Sequence, residues 1–456
     1  MNRFLAVFAL FATLFAIPAA AKPPNILFII VDDLGYGDLS SYGGTDLKTP
    51  HIDGLIAEGM RFDHFYANCP VCSPSRASVL TGLYPDKAGV PGVVRTPMDG
   101  RTPNWGDLRD DVKMFPQLLK DAGYHTACVG KWHLGLEAPD IPTRRGFDHF
   151  HGWLGDMMDD YYEHKRHGIP YMRLQEELIH PEGHATDLFS DWAVDYINDR
   201  ESTAPDQPWY LYLAYNAPHT PIQPPQDWFE KVKEREDGIT DQRAKLVALI
   251  EHMDHGIGQV LEHVKSANLE EETLIVFTSD NGGQVNVGGL NGALNGGKQD
   301  MWEGGIRVCT GVKWKGRIEK GSKSDFVGIG MDFFPTLAEI AGAKVENPID
   351  AVSFAPLLLG EEFEAPQRPL FWVRLEGNMK YGGIPYHAVR IGDWKLLRNT
   401  SFEPYKMFNL ANDPGEQNEI PRQKAPAKYN ELFNALMMHI NTAGKVPWQR
   451  LNEHED

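Results

Sequence analysis

The apolar positions of this chain gather into a few unbroken runs, each stopped by residues that carry charge or break structure. Residues 25–31 are rich in Ile, follow Pro23-Pro24 and end at Asp32-Asp33. Residues 209–215 end at Asn216-Ala217-Pro218-His219, and residues 273–278 end at Ser279-Asp280-Asn281. Such runs read as strands buried on both faces, the habit of parallel sheets. Ala127 to Val129 adds a strand that leads into Gly130-Lys131-Trp132-His133. If the extended conformation continues, Lys131 and His133 project from one face, because side chains alternate with period two. Between the strands the period changes. Leu188, Trp192, Ala193, Tyr196 and Ile197 recur at helical spacing, and residues 246–264 form a long amphipathic helix with His252, Asp254 and His255 as polar and packing residues. Residues 49–55 open the first crossover helix.

Strands alternating with helices predict an α/β fold built on a large, mixed, mainly parallel sheet sandwiched by helices. From about Pro366 the strand-like pieces shorten (370–373, 387–391, 394–397 and 406–410), which predicts a small antiparallel sheet closed by the amphipathic helix 427–441. The expected division is a large domain over 22–365 and a smaller C-terminal subdomain over 366–456.

The first 21 residues read as a secretory signal. Arg3 precedes an apolar run from Phe4 to Ile17, and Ala19 and Ala21 fit the small-residue cleavage rule, making Lys22 the mature N-terminus. The run is short for a membrane span, and no second apolar stretch reaches that length. An exported, periplasmic or secreted protein is expected. A formal charge of −19 argues against nucleic acid or an anionic membrane as partner, so an anionic ligand has to be attracted locally, where Lys, Arg and His converge. Four cysteines, Cys69, Cys72, Cys128 and Cys309, are too few for a disulfide scaffold.

Candidate chemistry collects at the strand ends, where open α/β sheets bind ligands. Two adjacent aspartates leaving a buried strand are costly unless paired or bound to a cation. Asp280 and Asn281 at a second strand end complement Asp32 and Asp33, and oxygen ligands of this kind favour Ca2+ over Zn2+, since no Cys/His cluster has zinc spacing. In Cys72-Ser73-Pro74-Ser75-Arg76, Ser73 suits an N-cap, Pro74 the first helical position and Gly82 the helix end. Cys72 would then stand at a helix N-terminus, beside a partial positive charge and Arg76. A buried structural cysteine, a disulfide with Cys69 and a Cys-x-x-Cys redox pair remain open on these residues alone.

Cys-x-Pro-Ser-Arg followed by Ala77-Ser78-x-Leu80-Thr81-Gly82 resembles the signature of the type I sulfatases. Gly130-Lys131-Trp132-His133-Leu134-Gly135 matches the family's second signature. Further segments match in family order: Gly146-Phe147-Asp148, His219 among its prolines, the 296–308 segment, Gly392-Asp393-Trp394-Lys395, and Asn412-Asp413-Pro414-Gly415-Glu416. The resemblance covers nearly all of the chain after the signal and implies an alkaline-phosphatase-like fold. It implies that Cys72 is oxidised to formylglycine by a formylglycine-generating or anaerobic sulfatase-maturating enzyme. It also implies that one Ca2+ is held by Asp32, Asp33, Asp280 and Asn281 against the modified Cys72, that Lys131, Lys298 and Arg76 neutralise sulfate oxygens, and that His133 and His219 move protons. Cys309 stands where relatives usually have proline.

The expectation is a calcium-dependent, exported sulfatase acting on a sulfated carbohydrate. Asp159, Asp160 and Tyr161 are the candidate sugar-binding residues, because carboxylates and aromatic rings side by side suit hydroxyls and pyranose faces. An acidic exterior around a confined cationic pocket suits oligosaccharide ends better than a long polyanion. A phosphomonoester or phosphonate monoester hydrolase of the same superfamily, and a noncatalytic sulfoglycan-binding protein, are the alternatives.

Overall fold

The computed structural model describes residues 22–97, 106–376 and 383–443; the apolar N-terminal run and the acidic tail at 453–456 lie outside them. Five parallel strands form the centre of a ten-stranded sheet: β1 (Asn25–Val31), β2 (His125–Lys131), β3 (His149–Trp153), β4 (Trp209–Ala214) and β5 (Thr273–Ser279), in the spatial order β5-β1-β4-β2-β3. Every residue of β1, β4 and β5 is buried, as their unbroken apolar runs require. Beyond β5 the antiparallel strand Thr310–Lys313 leads to Met60–Phe62 and Ser322–Ser324; beyond β3 lie Met172–Leu174 and Glu177–Leu178. The sheet is thus large, mixed and mainly parallel, with helices packed on it, as expected.

Register decides where the chemistry falls. Val31 pairs with Ser279, Ile30 with Ala214, and Ala214 with Gly130, so four neighbouring strands end side by side. The residues that follow, Asp32-Asp33, Asp280-Asn281, Lys131 and the 216–219 turn, therefore arrive at one edge of the sheet. The 279–283 turn is also pressed against the 304–305 backbone. A Cβ on Gly282 would come 1.8 Å from the Gly304 carbonyl oxygen, so only glycine fits there.

Three longer helices complete the frame with α1 (Cys72–Thr81), which is buried over its whole length: α2 (Ala185–Thr203), α3 (Asp241–Ser266) and α4 (Pro426–Ala443). In α3, Asp254 accepts backbone N–H bonds from His51 and Ile52 at the start of the Pro50–Ala57 helix. Among the described residues no helix is long and apolar enough to cross a membrane.

The C-terminal strands Leu370–Arg374, Tyr386–Ile391, Trp394–Arg398 and Lys406–Asn409 form an antiparallel meander. Its two faces are both covered. Val389, Leu396 and Met407 meet Leu432 and Leu436 of α4, while Ala388, Leu397 and Phe408 on the alternate positions meet Tyr66, Met301 and Ile306 of the large sheet's side.

Candidate active site

Helix α1 begins two residues earlier than the Ser-Pro pair suggests. Val71 is the extended N-cap (φ −148°), Cys72 is the first helical residue, and Gly82 ends the helix in the left-handed region. Ser73 does not cap; its hydroxyl accepts the Val94 backbone N–H at 3.0 Å. The consequence for Cys72 is favourable: its side chain stands at the positive end of the helix, where few N–H groups have partners.

Behind Cys72 lies the acidic cluster. Asp32, Asp33 and Asp280 each offer an oxygen within 4.8 Å of the others, and Asp32, Cys72 and His219 do the same with their own ligand atoms. Three cations are threaded among them. Lys131 Nζ lies 2.5 Å from Asp32 Oδ2, Lys298 Nζ 2.7 Å from Asp33 Oδ2, and Arg76 donates through Nε to Asp280 Oδ2 at 2.9 Å and through Nη1 to the Lys131 carbonyl. Arg76, Lys131, Asp32 and Asp280 are all buried. Burial pushes Asp32 up, but Lys131, His219, Arg76 and Lys298 outweigh it and hold its carboxyl well below the usual carboxylate range. Asp280 has the opposite balance: burial and the neighbouring Asp32 push it up to about 7 despite Arg76.

Two oxygens in this cluster point to a cation. Asn281 donates its amide N–H to Asp33 Oδ1 at 2.8 Å, which leaves its own Oδ1 for something else. Among the described residues, that oxygen and Asp32 Oδ1 are buried with no hydrogen-bond partner, an expensive arrangement unless a ligand satisfies both. An all-oxygen donor set of three carboxylates and an amide fits a hard divalent ion such as Ca2+.

In front of the cluster a cavity of about 190 Å3 is lined by Cys72, His133, His219 and Lys298 together with Arg95, Asp156, Gln284 and Glu376, among others. His133 does not continue the β2 strand: it lies past the strand's end in the left-handed region (φ +62°), and Asp33 (φ +68°) and Gln299 (φ +82°) share this uncommon conformation. Strain of this sort gathers where side chains must be aimed. His133 donates through Nε2 to the Val94 carbonyl at 2.8 Å, leaving Nδ1 as a buried lone pair without a partner among the described residues. Burial and then Lys131 keep this ring well below the ordinary histidine range, hence neutral. His219 donates through Nδ1 to the Thr220 carbonyl at 2.7 Å, and its Nε2 lies 3.6 Å from Asp33 Oδ2. Burial and then Lys298 lower its pKa as well.

Burial pushes the Cys72 thiol up to about 12, with Lys131 only partly opposing. A thiol held protonated is a poor nucleophile and a poor redox centre. All four cysteines are free and buried, so no disulfide joins Cys69 to Cys72.

The ten residues assigned from the sequence to metal and catalysis thus meet at one point, although Arg76 and Lys131 face the carboxylates and do not line the cavity. Asp159, Asp160 and Tyr161 are not among its lining residues. Asp159 pairs with Arg166, Asp160 accepts from Gln223, and the buried Tyr161 donates its hydroxyl to the His219 carbonyl at 2.9 Å. The same loop instead contributes Asp156 and Met157. Arg95, Asp156, Gln284, Gln299 and Glu376 escaped sequence reasoning; only Gln299, next to Lys298 in the 296–308 segment, had a motif to mark it.

Fold and site together define a hydrolase of the alkaline-phosphatase-like superfamily. The chain belongs to the sulfatase family: the model described as Sulfatase matches residues 24–343, and the model described as N-sulphoglucosamine sulphohydrolase, C-terminal, matches residues 297–444. It is accordingly a sulfuric ester hydrolase. It is 33% identical to N-acetylgalactosamine-6-sulfatase of Canis lupus familiaris, over 94% of this chain and 82% of that protein. It is 31% identical to arylsulfatase A of Homo sapiens, over 87% and 83%. The crystal structure of Ps i-CgsB in complex with k-i-k-neocarrahexaose superposes with a TM-score of 0.83 at 29% identity, covering 92% of this chain and 93% of that one. The phosphonate monoester hydrolase of Agrobacterium radiobacter, at 18% identity and a TM-score of 0.66, shares the fold.

Proposed function

We propose that this enzyme hydrolyses sulfate monoesters of a carbohydrate, with Cys72 matured to formylglycine and one Ca2+ held by Asp32, Asp33, Asp280 and Asn281. The observation that carries the reading is the placement of Cys72: a thiol too buried to react as a thiolate, at a helix N-terminus, between an oxygen-lined cation site and a cavity carrying Lys298, His133 and His219. Formylglycine at position 72 would supply a hydrated aldehyde as nucleophile, and Ca2+ held by the four oxygen ligands would supply positive charge beside it.

The chain's own residues supply the rest. Lys298 places a fixed cation at the cavity wall for the nonbridging oxygens, in a setting where water is scarce and charge acts strongly. His133 Nδ1, a lone pair with no competing donor among the described residues, can take a proton from a hydroxyl held at position 72. His219 Nε2 stands at the cavity for the leaving oxygen. The ring can take the proton for that oxygen from water once a sulfate ester is bound, because the ester's negative charge offsets the Lys298 charge that, after burial, lowers the His219 pKa.

A sugar as the leaving group is supported by two relatives whose names state it, N-acetylgalactosamine-6-sulfatase and Ps i-CgsB bound to a neocarrahexaose, and by a polar cavity rim. Residues 1–21 are proposed as an export signal, and a formylglycine-generating or anaerobic sulfatase-maturating enzyme as the partner that acts on Cys72. Mass spectrometry of the peptide spanning Cys72, paired with turnover of an aryl sulfate and an aryl phosphate, tests the reading. Conversion lowers the residue mass by about 18 Da on exchange of thiol for aldehyde. A fully active enzyme with an intact thiol, or a preference for the phosphate, would refute it.

A further inference from the structure

Asp156 is a buried carboxylate whose partners all converge on one oxygen. Oδ1 accepts the Thr96 hydroxyl at 3.0 Å and the Met157 backbone N–H at 2.8 Å, and lies 3.2 Å from Arg166 Nε. Arg166 is itself fixed by Asp159, 2.7 Å from its Nη1. These contacts hold the carboxylate in one orientation and satisfy only half of it. Oδ2 has no hydrogen-bond partner among the described residues, and Asp156 lines the same cavity as Cys72, His133, His219 and Lys298. The cavity, at about 190 Å3, is smaller than the ~300–1,000 Å3 that encloses a drug-sized ligand, and so admits one sulfated ring with its ester.

We infer that Asp156 reads the ring that carries the scissile sulfate: a free hydroxyl beside the ester donates to Asp156 Oδ2, and a second anionic group at that position is rejected. This rests on the sulfatase reading above and narrows its substrate class to sugars whose neighbouring position is a hydroxyl and not a second sulfate or a carboxylate. The physical case is an asymmetry of cost. A hydroxyl facing an oriented, desolvated carboxylate gains a charge-assisted hydrogen bond, whereas an anion in the same place meets like charge with little water to screen it. A substrate lacking the hydroxyl leaves Oδ2 buried and unpaired, which is penalised as well.

The test compares the ratio of kcat/KM for methyl galactopyranoside monosulfates to that for 4-nitrophenyl sulfate, which has no ring hydroxyls. The Asp156→Asn enzyme should show this ratio lowered by about tenfold to a hundredfold, the size of a lost hydrogen bond to a charged acceptor. In wild type, one monodeoxy analogue of the preferred monosulfate should suffer a loss of similar size, and the corresponding vicinal disulfate should be turned over at least about tenfold more slowly. In Asp156→Asn both penalties should shrink, since paired changes expose a shared contact. An unmoved ratio in the variant, or a wild type indifferent to every deoxy position and to the second sulfate, overturns the inference while leaving sulfatase activity intact. A wild type that cleaves no sulfate ester overturns the reading beneath it. Should Asp156→Asn fail to fold, the deoxy and disulfate series on the wild-type enzyme decides the matter alone.

Discussion

Lys395 Nζ lies 2.9 Å from Glu303 Oε1, and through this contact the C-terminal sheet grips the segment that carries Lys298. Lys395 is wholly buried and also lies 2.8 Å from Glu416, whose second oxygen accepts the Glu303 backbone N–H at 2.6 Å. The grip extends along the segment: Asn399 Oδ1 accepts the Met301 N–H, and Arg374 donates to the Gln299 carbonyl. Gln299 in turn donates its N–H to the Pro70 carbonyl, two residues from Cys72. The small C-terminal sheet is therefore part of the active-site frame.

Lys395→Met should be strongly destabilising. It leaves Glu303 and Glu416 buried with their shared cation gone, and breaking a buried ion pair from one side costs about 3–5 kcal/mol. Chemical denaturation measures the loss. A variant within about 0.5 kcal/mol of wild type, the usual scale of surface substitutions, would show that the triad contributes little.

Calcium should bind the folded enzyme and raise its melting temperature, because a ligand taken up only by the native state stabilises it by about 2.7 kcal/mol at a hundredfold excess over Kd. Asn281→Ala removes one of the two unpartnered buried oxygens and should weaken the binding by an order of magnitude or more, read by calorimetry. A melting temperature indifferent to both Ca2+ and a chelator would refute the cation site.

Much of this arrangement was legible in the sequence because it is written in contrasts. An Ile-rich run that stops at two aspartates marks both a buried strand and the edge at which it ends, and the in-register parallel strands then carry Asp32, Asp280, Lys131 and His219 to one place. What stayed hidden depends on contacts remote in sequence. Ser73 and Pro74 signal a helix start correctly to within a residue or two, but Val94, 21 residues on, claims the Ser73 hydroxyl and leaves Val71 as the cap. Asp159 and Asp160 have the composition of sugar ligands, yet Arg166 and Gln223 take them, while Asp156 in the same loop reaches the cavity. No local pattern distinguishes those three aspartates; the course of the loop does.

Asp254 should make stability depend on pH. Burial, with Asp53 and Glu251 adding repulsion, pushes its carboxyl up to about 7 although two backbone N–H groups oppose the shift. The folded state therefore holds a proton that the unfolded chain, with an ordinary aspartate pKa near 4, has already released. Its contribution to stability is complete below that value, declines as pH rises toward 7 by up to about 1.4 kcal/mol per pH unit, and is constant above. Asp254→Asn should remove this slope. Parallel stability profiles for the two proteins between pH 4 and 7 would contradict the assignment.

Lys298 and His219 should be coupled through charge. After burial, the Lys298 ammonium is the largest influence depressing the His219 pKa, and Asp33 works the other way. Lys298→Met deletes the repulsion and leaves Asp33, 3.6 Å from Nε2, without its closest cation. The His219 ring should then titrate at higher pH in NMR spectra, by about one unit or more if the pair interacts at an effective dielectric of 20. Turnover of an aryl sulfate should also fall steeply, since the same ammonium lines the cavity proposed to hold the sulfate. A His219 titration unmoved in Lys298→Met would mean that the ammonium does not set the ring's proton affinity, and offsetting its charge with a bound sulfate could not then load His219 with the proton for the leaving oxygen.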